Sequence, residues 1–147
     1  MALTAILYAV AVLPAAGNLA NQAVIDAFAS LIGSEHKAEA THCLSIEGKD
    51  PPRDVIAALA ARKLTVLPGS NCYYADTAPH DYVAKTNAGT EAAFLDISNI
   101  IVSSPSSISV KYWHRAGAWQ GYGKVIQLRL LGGSWVVVPD NGYLTEE

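Results

Sequence analysis

The stretch Ile108-Ser109-Val110-Lys111-Tyr112-Trp113-His114-Arg115 decides the reading of this chain, because its side chains alternate with a period of two. Ile108, Val110, Tyr112 and His114 fall on one face of a strand, and Ser109, Lys111, Trp113 and Arg115 on the other. A slip of one residue would turn every side chain over, so the pattern commits the apolar set to a core. Upstream, Leu95, Ile97 and Ile101 alternate with Asp96 and Ser98, and Ser103-Ser104-Pro105-Ser106-Ser107 supplies a turn between the two strands. Downstream, Ile126, Leu128 and Leu130 oppose Val125, Gln127 and Arg129, and Gly132-Gly133 turns the chain into a last apolar strand over 134–138. The second half therefore reads as an antiparallel meander.

The first half has a helical period. Asn21 caps a helix in which Val24, Phe28 and Leu31 recur at i, i+4 and i+7, with Gly33 placed to end it. Residues 42–46 form a short strand ending at Gly48. A second helix starts with Asp50 as N-cap and Pro51 at its first position, carries Asp54, Val55, Ile56 and Leu59, and closes on Arg62-Lys63. Residues 64–67 are a short strand stopped by Pro68-Gly69, and residues 71–87 mix Pro, His, Asp and Tyr without a period and read as a loop. Helices first and strands afterward predict an α+β domain, with helices packed on one face of a curved antiparallel sheet.

The chain has 147 residues, enough for one core and too few for two. Its 51% hydrophobic and 16% charged residues are those of a folded domain. A net charge of −3 without a basic block argues against nucleic acid as a partner.

No charged side chain occurs before Asp26, and residues 2–12 are almost wholly apolar. Such a run is too short to span a membrane but suits the apolar segment of an export signal, and Ala15-Ala16-Gly17 beyond Pro14 suits a peptidase cleft. The expectation is a signal over residues 1–17, a single domain over 18–147, a periplasmic or secreted location, and no stable membrane span in the mature chain. The alternative is a cytoplasmic protein that retains a buried N-terminal helix. Cys43 and Cys72 belong to no metal-type spacing, so an oxidising compartment predicts one disulfide between them, and a reducing one predicts two separate thiols. No bound metal or cofactor is expected.

The late strands, ending Gly132-Gly133-Ser134-Trp135-Val136-Val137, resemble the closing strand of the NTF2-like (cystatin-like cone) superfamily, and the coarse element order is similar. Residues 43–72, with Asp50-Pro51 opening a helix, also resemble small exported bacterial proteins of unassigned function. The first resemblance implies a cone-shaped α+β fold in which some members are isomerases or dehydratases with a pocket Asp or His and others are noncatalytic binding modules.

The densest aromatic and cationic run supplies the binding candidates Trp113, Arg115, Trp119 and Tyr122, residue types enriched at binding hot spots. Trp113 and Arg115 are expected to be exposed; the competing reading is cross-strand packing with Arg115 stacked on an aromatic ring. This run makes a noncatalytic exported protein, binding another protein or a small molecule, the leading reading. The alternative is an isomerase- or hydrolase-type enzyme with His114 as a pocket base, helped by Tyr112 and a loop carboxylate such as Asp81. Asp96, out of phase with Leu95 and Ile97, is expected to face solvent. His80-Asp81, beside Asp76, Tyr73, Tyr74 and Tyr82, reads as a solvated loop, and His36 and His42 as surface residues.

Overall fold

A computed structural model describes residues 13–35, 40–78, 81–117, 120–138 and 143–144. Helices α1 (Leu13–Glu35) and α2 (Arg53–Ala61) pack on a strongly curved sheet. Its strands are β1 (Thr41–Ile46), β2 (Val66–Pro68), β3 (Cys72–Ala78), β4 (Asp81–Thr86), β5 (Ala92–Ser104), β6 (Ser107–Gly117), β7 (Gln120–Leu131), β8 (Ser134–Val138) and β9 (Tyr143–Leu144). The α+β expectation holds. Strands β5 to β8 form the antiparallel meander read from the sequence, but the sheet is mixed, because β1 runs parallel to both β2 and β5. Among the described residues, no helix is long and apolar enough to cross a membrane.

The phase of β6 is the expected one. Ile108, Val110 and Tyr112 are buried with Leu95 and Ile97 of β5 and Ile126 and Leu128 of β7, and this apolar layer receives Phe28, Leu31 and Ile32 of α1 and Val55 and Leu59 of α2. Trp135 of β8 closes the layer. Asp26 of α1 then gathers three partners, one from the sheet, one from beyond α2 and one from its own helix. Its carboxylate pairs with Arg62, just past α2, at 2.7 Å, and accepts the Trp135 backbone N–H at 3.0 Å and the Gln22 amide at 3.2 Å.

Several boundaries differ from the sequence reading. Helix α1 runs through Asn21 and past Gly33; Pro14 stands in its first turn, where its missing N–H breaks no helical bond. The rest of the expected signal, residues 1–12, lies outside the described residues. Helix α2 begins at Arg53 with Pro52 as N-cap, because Pro52 bars the α conformation from Pro51 before it. Asp50 caps the 3-10 turn Gly69–Asn71 instead, accepting the Ser70 backbone N–H at 2.9 Å and the Ser70 hydroxyl. These two hydrogen bonds, the hydroxyl first, hold the Asp50 carboxyl below the usual carboxylate range.

The expected loop over 71–87 is a hairpin, β3 paired antiparallel with β4 and broken by a bulge between Asp76 and Ala78 that erases any period in the sequence. Ile101, grouped by alternation with Leu95 and Ile97, is 60% exposed: a bulge between Ser98 and Ile101, with Asn99 at φ 49°, adds one residue and shifts the phase. His42, expected at the surface, is buried. Its ring lies on the helix side of β1, and Nδ1 donates to the Ala40 carbonyl at 3.0 Å.

Candidate functional site

The Cys43–Cys72 disulfide forms, with an S–S distance of 2.02 Å and Cα atoms 6.3 Å apart. Cys43 sits on the sheet face turned away from the helices, since Leu44 beside it belongs to the core. The bridge therefore fastens the start of β3 to the outer face of β1. From there β3 carries Tyr74 over β5, where its ring meets that of Phe94 at a centroid distance of 4.7 Å.

Phe94 and Asp96 alternate with the core residues Leu95 and Ile97, and Trp113 and Arg115 alternate with Tyr112, so all four emerge on this outer face. With Ser45, Gly48 and Tyr74 they line a groove of about 250 Å³. A second hollow of about 500 Å³ adjoins it through the shared residues Ser45, Gly48 and Phe94, and extends past Lys49 and Asp50 to Gly69 and Ser70. At Gly69 the chain passes close to β1, where a Cβ would sit a tight 3.2 Å from the Leu44 carbonyl oxygen.

The polar groups of the groove have distinct duties. Asp96 faces away from the core, as its phase requires, and its Oδ1 accepts the Ser45 hydroxyl at 2.5 Å and the Gly48 N–H at 3.0 Å. That carboxylate braces the turn after β1. Burial pushes the Tyr74 phenol above its usual value, with the Arg115 charge opposing, so the hydroxyl stays protonated at neutral pH. Arg115 and Lys111 flank Trp113 along the strand; the Lys111 Nζ lies 4.5 Å and the Arg115 Cζ 5.7 Å from the ring centroid, within cation–π range.

Trp113 lies against the backbone of its cross-strand partner Gly123. A Cβ on Gly123 would come within 2.6 Å of the ring, so only glycine leaves room for the indole. Trp113 and Arg115 are thus half-buried, less exposed than expected of a free hot spot, and Trp113 both packs the outer face and walls the groove. Gly123→Ala should displace the indole and cost about 1 to 3 kcal/mol of stability. Urea unfolding read by tryptophan fluorescence checks this, and an unchanged spectrum and midpoint would show that the ring does not rest on Gly123.

Of the other candidates, Trp119 lies outside the described residues, as do the side chains of Tyr122 and Asp81. His114 is half-buried on the opposite, helix-facing side of the sheet from Asp96, its ring centroid 6.4 Å from that of His42. Tyr112 is 0% exposed and belongs to the core. His114 and Tyr112 do not line the outer groove, and no cluster of three metal-ligating side chains occurs among the described residues. Phe94, Ser45 and Gly48 join the site without a sequence motif that marks them as a group. The available signal was Phe94 itself, an aromatic ring in the solvent phase of β5. No protein-family model, curated protein or solved structure matches this chain.

Proposed function

We propose that this is a noncatalytic binding protein of an oxidising, exported compartment, which takes its ligand in the groove on the outer sheet face. The observation carrying this reading is the groove's lining: three aromatic rings, Tyr74, Phe94 and Trp113, and the Arg115 guanidinium surround a space in which, among the described residues, the one carboxylate, Asp96, is already held by Ser45 and Gly48. Rings supply apolar contact at low entropic cost, a cation supplies orientation, and a carboxylate tied to a structural turn is poorly placed to move protons. The disulfide supports the oxidising compartment. The NTF2-like relationship belongs to the same proposal, supported by two helices on a strongly curved sheet whose β8 packs Trp135 into the core.

An aromatic anion is the natural probe. 1-Anilinonaphthalene-8-sulfonate should bind the oxidised protein with enhanced, saturable fluorescence, and Arg115→Ala and Phe94→Ala should each weaken it about tenfold or more. Equal binding by parent and both variants would remove the groove from consideration.

A further inference from the structure

Strand β1 leaves the edge of β5 at Ile97, where the Glu47 N–H makes its last bond, 2.7 Å to the Ile97 carbonyl. Beyond that point β5 continues for seven residues, Ser98-Asn99-Ile100-Ile101-Val102-Ser103-Ser104, paired with β6 on one side and with no strand on the other among the described residues. Free edges of this kind are ordinarily guarded by charge or proline. Here no charged residue occurs between Asp96 and Lys111, and the only proline in that interval, Pro105, lies past the strand. Ile101 and Val102 stand 60% and 55% exposed, while Ile100 packs against the core and keeps the segment in the plane of the sheet.

We propose that this edge of β5 pairs antiparallel with the same edge of a second copy of the chain. The segment is complementary to itself when reversed. About a two-fold axis at Ile101, Ile101 faces its own copy, Ile100 faces Val102, Asn99 faces Ser103 and Ser98 faces Ser104. Apolar side chains meet at the centre and small hydrogen-bonding side chains at both ends, with no charge to repel. The bulges at Asn99 and before Ser104 keep the regular ladder short, so the paired segment is small and the dimer is weak.

Sedimentation equilibrium of the oxidised full chain, from about 5 µM to about 1 mM, tests this. The expected result is association that stops at two copies, with a dissociation constant on the order of 100 µM that changes little with salt, since no ion pair is involved. Ile101→Lys should weaken it at least tenfold without moving the unfolding temperature measured at low concentration. Leu131→Lys, at a residue 58% exposed but off this edge, should leave it intact. A monomer at every concentration would mean that the two bulges suffice to blunt the edge. Growth beyond two, or equal loss with Leu131→Lys, would mean unspecific apolar contact; any of these results overturns the proposal.

Discussion

Replacing both cysteines, Cys43→Ala with Cys72→Ala, is expected to lower stability by about 3 to 4 kcal/mol and the unfolding temperature by roughly 10 to 15 °C. The bridge closes a loop with a sequence separation of 29, and the chain-entropy cost of leaving such a loop open has this size. Alanine is the suitable replacement at Cys43, which is fully buried, because a serine hydroxyl there would add a polar group to an enclosed position. The loss has a local part as well. Without the bridge, β3 is held to the rest of the sheet mainly through β4, whose ladder to β6 is, among the described residues, the pair Val83 and Gly117. Amide exchange over β3 should therefore rise more than over β6, and the Tyr74 to Phe94 contact should loosen first. Parent protein treated with reductant should match the double variant. A fall of less than about 3 °C would mean that the hairpin is held by its packing and the bridge is incidental.

The second large effect is expected at Asp26. Asp26→Ala should cost about 3 kcal/mol, because it removes the acceptor of the Trp135 backbone N–H, the Gln22 amide and the Arg62 guanidinium at once. A buried peptide N–H left without an acceptor carries its full desolvation penalty, about 1 to 3 kcal/mol. Arg62→Ala should cost less, about 1 kcal/mol, since the Arg62 side chain is 41% exposed and water screens the pair. Asp26→Asn, which keeps an oxygen for Trp135 and loses the charge, should fall between them. Urea denaturation of the three variants gives the order. Equal losses for Asp26→Ala and Arg62→Ala would assign the whole effect to the ion pair and none to the tie between α1 and β8.

These two ties differ in how far the sequence discloses them. The cysteine pair was legible, because two cysteines without metal spacing in a chain with an uncharged apolar start admit few other roles. The alternation from Ile108 to Arg115 fixed which side of β6 faces the core, because one buried face leaves a period of two in the sequence. The Asp26 cluster was illegible: its partners Arg62 and Trp135 lie 36 and 109 residues away, and nothing in their local patterns marks them as neighbours. The β3 hairpin escaped for another reason. Its bulge breaks the alternation, and its outer position leaves Ala84 and Thr86 as buried residues too modest to mark a strand.

The groove shows the same division. Trp113 and Arg115 stood out by residue type and phase. Phe94 and Asp96 shared that outward phase on β5, but a single strand does not say what covers it. The cover arrives from Tyr74, whose position depends on the disulfide, and from the Gly48 turn, whose shape depends on the Asp96 carboxylate. At Gly123, the meaning of the glycine emerged only with the register that sets it opposite Trp113.

Under the proposed function, ligands enter the outer groove and leave the helix-facing side of the sheet alone. Amide chemical shifts of the oxidised protein, followed by NMR as 1-anilinonaphthalene-8-sulfonate is added, address it residue by residue. The expected result is shifts concentrated at Ser45, Gly48, Ser70, Tyr74, Phe94 and Arg115, saturating together, with His42, Leu95 and the helix α2 amides unmoved. Shifts gathered instead around His42 and His114, with Gly48 and Tyr74 unchanged, would contradict it and turn attention to a histidine-centred site on the other face.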